Sequence, residues 1–191
     1  MGSGRGRKGR GEGDVWKGLA AGLVGGLVAS WAMNRFQDVW SKLAEEFGRS
    51  EEESSARDGG GESQQAQDSG EEQTDDATVK AASAISEGIF DHKLTRGEKK
   101  IAGPAVHYAF GTAVGGLYGA VAELAPEVTA GAGLPFGAAF WLVADETAVP
   151  LLGLSKKPTE YPLSTHVYAL ASHLVYGLTA EAVRRAARNA L

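Results

Sequence analysis

Six ionisable side chains stand inside or at the edge of stretches that otherwise carry no formal charge: His107, Glu123, Asp145, Glu146, His166 and His173. Tyr108, Tyr118, Tyr168 and Tyr176 are their hydrogen-bonding neighbours. Histidine titrates near neutrality and a carboxylate supplies the counter-charge. His107, Asp145 and His173 converging between helices would therefore form a proton-accepting or cation-binding cluster. A plainer reading is preferred, in which each histidine bonds a carbonyl or a tyrosine across an interface. No His-x-x-x-His or Glu-x-x-His pair occurs, so nothing in the spacing dictates a metal-ligand set. Asp145 and Glu146 are adjacent and would point about 100° apart on a helix, too far to share one proton. Asp145 is expected to face the bundle and Glu146 the headgroups or Lys156 and Lys157. Pro150 removes the hydrogen bond that the Glu146 carbonyl would accept, so a bend is expected there.

Long apolar elements are needed to hold these groups. From Ile101 to Ala122 no residue is charged, and His107, Gly111, Gly115, Gly119 and Glu123 follow one another by four. That spacing lays them along one helix face, where bare glycine backbone lets a second helix come close. Gly18, Gly22 and Gly26 repeat the ladder in an uncharged run from Gly18 to Asn34. Four membrane segments are predicted. The first runs from about Val15 to Phe36, with Trp16 and Trp31 near its ends. The second runs from Pro104 to Ala125, set off from a juxtamembrane turn by Gly103 and Pro104. The third covers about Thr129 to Leu152 and carries Gly137, Trp141 and Asp145 at intervals of four. The fourth spans Tyr161 to Ala180, with His166 and His173 two turns apart. Between the first and second, Thr78 to Phe90 has an amphipathic pattern suited to the membrane surface or the flank of the bundle. Thr95 and Glu98 form a capping-box signature at the start of the next helix.

A net charge of −5 over 191 residues averages two different materials. Glu45 to Asp76 holds twelve acidic residues against two arginines, and between Gly48 and Asp76 the only apolar side chains are Ala56 and Ala66. Such a stretch cannot bury enough surface to offset its ordering entropy, so residues 48–77 are expected to be a disordered acidic linker. The rest divides into a basic Gly/Arg-rich tail (1–14), a first membrane helix with its extension (15–47), and a three-helix membrane domain with its preceding amphipathic helix (78–191). Cysteine is absent, which excludes disulfides, thiolate zinc sites and cysteine nucleophiles. The basic start resembles a signal peptide, but the apolar run continues into Trp31, Asn34 and Arg35 without a clean cleavage site, so a retained anchor is expected. Arg5, Arg7, Lys8 and Arg10 beside a membrane segment favour lipid and topology over nucleic acid.

Several pieces occur in a telling order: His107-Tyr108-Ala109-Phe110-Gly111, Gly119-Ala120-Val121-Ala122-Glu123 ahead of Pro126, Pro150-Leu151-Leu152-Gly153-Leu154, and His173-Leu174-Val175-Tyr176 leading to Glu181 and Arg184-Arg185. In these, residues 103–188 resemble the YagU-like family of bacterial inner-membrane proteins, a domain of unknown function. The resemblance implies a multi-span helical membrane protein and carries no reaction or ligand with it. About half the chain is covered; the acidic tract and the glycine-arginine start lie outside it.

The expectation is thus an all-α integral membrane bundle of four transmembrane helices plus an amphipathic juxtamembrane helix, in a bacterial inner membrane. An even number of spans puts both basic termini on one side, taken as the cytoplasm. The role expected first is a structural or interaction component, with Gly18, Gly22, Gly26, Gly111, Gly115 and Gly119 packing helices within a chain or between copies of a homo-oligomer. A small transporter, channel or proton-responsive element using His107, Asp145 and His173 is the alternative. An enzyme or a histidine-ligated cofactor site ranks last: there is no P-loop, no Gly-x-Ser-x-Gly elbow and no dinucleotide fingerprint. No cofactor is expected, and membrane lipids are the expected partners.

Overall fold

A computed structural model describes the backbone of residues 5–57 and 76–191 and the side chains of residues 14–46 and 76–191. Among the described residues the chain is mostly helical, with no strand. Helix α1 runs from Arg5 to Arg57, α2 from Ala77 to Phe90 and α3 from Arg96 to Leu124. A 3-10 stretch, Pro126–Gly133, leads into α4 (Leu134–Val143), which continues through a π turn, Ala144–Ala148, into the short α5 (Val149–Leu151). Helix α6 covers Leu163–Ala190. Helix α1 thus continues through residues 48–57 of the expected acidic linker, whose residues 58–75 lie outside the described residues.

Two helical stretches, Asp14–Glu46 and Pro126–Leu151, are long and apolar enough to cross a membrane. Alternating directions follow from which residues meet. Gly18 of α1 faces Gly119 of α3, and Gly26 faces Gly111, so the two helices run antiparallel. Gly133 and Gly137 lie against Gly177 and the His173 carbonyl of α6, which makes α4 and α6 antiparallel as well. Helix α6 also lies against α1, with Gly25 on the Ala180 carbonyl near one end and Trp40 beside Tyr168 near the other.

Local chemistry explains most boundaries. Asp76 caps α2, its carboxylate accepting from the Val79 N–H at 2.8 Å. At α3 the capping box is complete: the Thr95 N–H donates to Glu98 Oε2 at 2.7 Å, and the Glu98 N–H donates to Thr95 Oγ1. Three boundaries differ from the sequence expectation. Helix α3 continues through Gly103 and Pro104: the proline gives up one helical hydrogen bond and crowds the Lys100 carbonyl, yet the helix is kept, and Val79 of α2 packs over Gly103. Helix α4 begins at Leu134 rather than Thr129, since Gly131, Ala132 and Gly133 all adopt left-handed backbone (φ 69°, 55° and 86°). At Pro150 the helix does not simply bend. It widens just before the proline into the π turn, where the Val149 N–H reaches the Ala144 carbonyl and the Thr147 hydroxyl reaches the Leu142 carbonyl at 2.9 Å.

The interior is made of small and polar residues. The largest fully buried side chains are Tyr176, Glu181, Ser30 and Ser172, whereas Val24, Leu27, Leu117, Leu142, Val143 and Leu178 are exposed. Among the described residues a buried apolar cluster is formed by Ala29, Met33, Tyr176 and Ala180 with Phe136 and Phe140 against it, and it contains no leucine, isoleucine or valine.

Candidate functional site

The two glycine ladders meet each other. A Cβ on Gly22 would strike the Gly115 carbonyl and stand 2.9 Å from the Gly119 Cα; one on Gly26 would stand 2.5 Å from the Gly111 carbonyl. No side chain could occupy these positions at this helix separation. Such contact brings α1 and α3 backbone to backbone over three turns and sets the depth at which every polar side chain on α3 sits.

The six ionisable residues separate into three groups along the bundle. Near the end that holds both termini, Glu123 of α3 accepts from Arg188 Nε of α6 at 2.7 Å, and the same guanidinium reaches Asp14 of α1 at 3.2 Å. At the loop end Glu146 pairs with His166 at 2.6 Å rather than with Lys156 or Lys157, and the other nitrogen of His166 lies 3.0 Å from the Pro158 carbonyl. Between them, Asp145 Oδ2 is 3.6 Å from His173 Nδ1, which also lies 2.9 Å from the Ala169 carbonyl of its own helix. His107 of α3 is within electrostatic reach of both Asp145 and His173, and its Nε2 is buried with no hydrogen-bond partner. Trp141, four residues before Asp145, has a buried, unpartnered indole N–H as well. The π turn gives Asp145 and Glu146 separate partners on α6, His173 and His166, two helical turns apart.

An aromatic layer separates this middle group from the terminal end. The Phe140 ring meets His173 edge-on with centroids 5.1 Å apart and lies 5.1 Å from Tyr176. Phe136 stacks on Tyr118 at 3.9 Å. The Tyr176 hydroxyl donates to the Gly111 carbonyl at 2.5 Å, which ties α6 to the glycine face of α3.

Below that layer stands Glu181, one residue beyond the end expected for the fourth segment. Glu181 is 1% exposed, and its carboxylate accepts from Arg184 at 2.7 and 2.9 Å, from Tyr118 at 2.9 Å and from Arg185. Its signal was present: arginines three and four residues on can both fold back onto it along one helix face. Ser30, likewise missed, is fully buried, its hydroxyl donating to the Gly26 carbonyl of its own helix at 2.9 Å and its backbone lying against His107 of α3.

Among the described residues no group of three His, Asp or Glu side chains is placed to hold a metal ion. The geometry supports hydrogen bonding, ion pairing and proton exchange by imidazole and carboxylate. No curated protein and no solved structure matches the chain. A family model described as "Protein of unknown function (DUF1440)" matches residues 86–182, which takes in α3, the 3-10 stretch, the π turn and α6 as far as Ala182, and with them the whole of the middle polar group. Since that match covers just over half of the sequence, the chain belongs to the DUF1440 family.

Proposed function

We propose that this chain is a multi-pass protein of a bacterial inner membrane, a structural or interaction component whose four spans are the central part of α1, α3 beyond Pro104, α4 with its continuation to Leu151, and α6 to Ala180. The observation that carries the reading is the inverted distribution of polarity. Glu181 and Ser172 are buried at 1% and 0%, while Leu117 and Leu142 are 64% and 54% exposed. In water that arrangement spends the hydrophobic effect on nothing; in hydrocarbon it places each surface against its preferred medium. Helices α3 and α6 contain tyrosine and histidine, which the two most apolar stretches lack. They nevertheless pack along α1 and α4 over the same depth, so a bilayer crossed by one pair is crossed by the other. Four antiparallel passes bring both termini to one end, where Lys17, Arg184, Arg185 and Arg188 cluster, and we place that end, with the basic residues of the chain's start, in the cytoplasm, against Lys93, Arg96, Lys99, Lys100, Lys156 and Lys157 at the other. The bacterial source and inner-membrane location rest on the resemblance of residues 103–188 to the YagU-like family.

Membrane extraction and Gly115→Leu together test the reading. The protein should leave membranes only with detergent, and the leucine should lower its thermal midpoint and disturb its assembly, because a Cβ at Gly115 already stands 2.5 Å from the Gly26 Cα. Release by salt or alkali alone, or a variant with unchanged midpoint and particle size, contradicts it.

A further inference from the structure

Helix α6 carries two histidines that the π turn supplies with separate carboxylates, and the two pairs differ in what surrounds them. Glu146 and His166 are closed into a 2.6 Å contact against the Pro158 loop. Asp145 and His173 stand at 3.6 Å, an open pair, with His107 Nε2 nearby and unsatisfied. His173 is only 6% exposed, but Asp145 keeps 40% of its side-chain surface open. Access and closure lie on opposite sides of His173: Asp145 and the Glu146–His166 pair toward the loops, the rings of Phe140, Phe136 and Tyr176 toward the termini.

We propose that His107, Asp145 and His173 form a proton-binding site that is loaded from the loop end and closed toward the termini by the Phe136, Phe140 and Tyr176 layer. The inference rests on the membrane reading above and adds to it a ligand and a side of entry. His173 Nδ1 faces two acceptors, the Ala169 carbonyl and Asp145, so it carries the hydrogen of the neutral ring. The entering proton arrives as hydronium at the loop end, leaves a water molecule behind and settles on the remaining imidazole nitrogen. A neutral ring beside a carboxylate becomes an imidazolium–carboxylate pair, and no other bond is made or broken. The titratable groups around the site are His107 and, edge-on to its ring, Tyr108 from α3, Asp145 and Glu146 from the π turn, His166 (paired with Glu146) and Tyr176 from α6, and the α2 cap Asp76, which acts on His107 electrostatically. From α1 the polar groups at this level are Ser30 and Asn34, which do not titrate; Asn34 donates to the Tyr108 hydroxyl at 3.3 Å. Beyond the aromatic layer the next carboxylate, Glu181, is already saturated by Tyr118, Arg184 and Arg185, so it offers no onward acceptor.

The test uses the full chain, labelled with 15N-histidine and held in lipid nanodiscs, with the imidazole signals followed between pH 4 and 9 and assigned by single His→Gln variants. His173 should take up a proton in that range, and Asp145→Asn should weaken its proton affinity about tenfold. Removing a competing imidazole by His107→Gln should strengthen it, which keeps the test alive if the asparagine variant misfolds. Proteoliposomes of the parent should hold an imposed pH gradient. A His173 signal that never changes, a midpoint indifferent to both variants, or a proton leak that Asp145→Asn abolishes overturns the proposal. A chain that enters no nanodisc overturns the membrane reading along with it.

Discussion

Glu98 shows how a single exposed side chain can govern where a helix begins. Hydrogen bonds from the Thr95 backbone N–H first, then from the Thr95 hydroxyl and His92, hold its carboxyl below its ordinary value of 4.5. A carboxyl that is more acidic in the folded chain contributes stability above its unfolded value, and that contribution is lost as the pH falls through the folded value. The first turn of α3 should therefore fray only below about pH 4.5, and Glu98→Ala, which removes the acceptor, should fray at every pH, both read by amide exchange at Arg96 to Lys100. Thr95→Ala should cost about 1 kcal/mol by the same loss. Glu181 is the opposite case. It is nearly fully buried with the guanidinium of Arg184 against it, so truncating it strands a charge away from water. Glu181→Ala should destabilise the protein by about 3 kcal/mol or more, seen as a lower thermal midpoint in detergent. The capping box is legible from Thr95 and Glu98 because both of its halves are local in sequence. Burial of Glu181 is not, since it depends on Tyr118, sixty-three residues away, and on which way the last turns of α6 face.

Glycines divide sharply by what their missing side chain would meet. Gly22 is hemmed in by the Gly115 carbonyl and Gly119, while Gly88 in α2 has nothing within 4 Å. Alanine at Gly22 should cost about 1–3 kcal/mol by forcing α1 and α3 apart. Alanine at Gly88 should stabilise α2 by about 0.5–1 kcal/mol through the backbone entropy it removes. Circular dichroism melts of the two variants check both signs in one experiment. The four-residue spacing of each ladder is plain in the sequence, but periodicity describes a face and not its partner. Nothing in the order of Gly18, Gly22 and Gly26 says that Gly119, Gly115 and Gly111 lie opposite. The same limit explains the Gly133 and Gly137 contact with Gly177, which joins α4 to α6 through glycines from different segments. Passage of α3 through Pro104 was hidden for another reason: Gly103 and Pro104 read as a break until Val79 is seen to cover the position.

At the scale of the whole molecule, α1, α3, α4 and α6 are held at the terminal end by ion pairs and in the middle by backbone contact. Arg188 joins α6 to both α1 and α3 through Asp14 and Glu123, and the Lys17 ammonium donates to the Leu191 carbonyl at 2.7 Å. Because the chain contains no cysteine, single ones can report sidedness without background. Thr159→Cys, in the exposed loop between α5 and α6, should react with an impermeant maleimide added outside intact spheroplasts. Asn189→Cys, at the exposed end of α6, should react only after the membrane is opened. Labelling of both from the same side rules out the proposed topology. Helical class and apolar length were legible here because they depend on composition over many residues. The polar interior was visible only as six isolated residues, since its closure needs the π turn and the aromatic layer, and neither leaves a period in the sequence.

Pairing of the two glycine ladders also has a consequence for how the protein is made. The ribosome produces Gly18 roughly 100 residues before Gly119, so at synthesis rates of about 5–20 residues per second the notched side of α1 waits about 5–20 s for its mate. During that interval the small-residue face of α1 has no α3 to pack against, and final assembly waits until Gly111, Gly115 and Gly119 have been made.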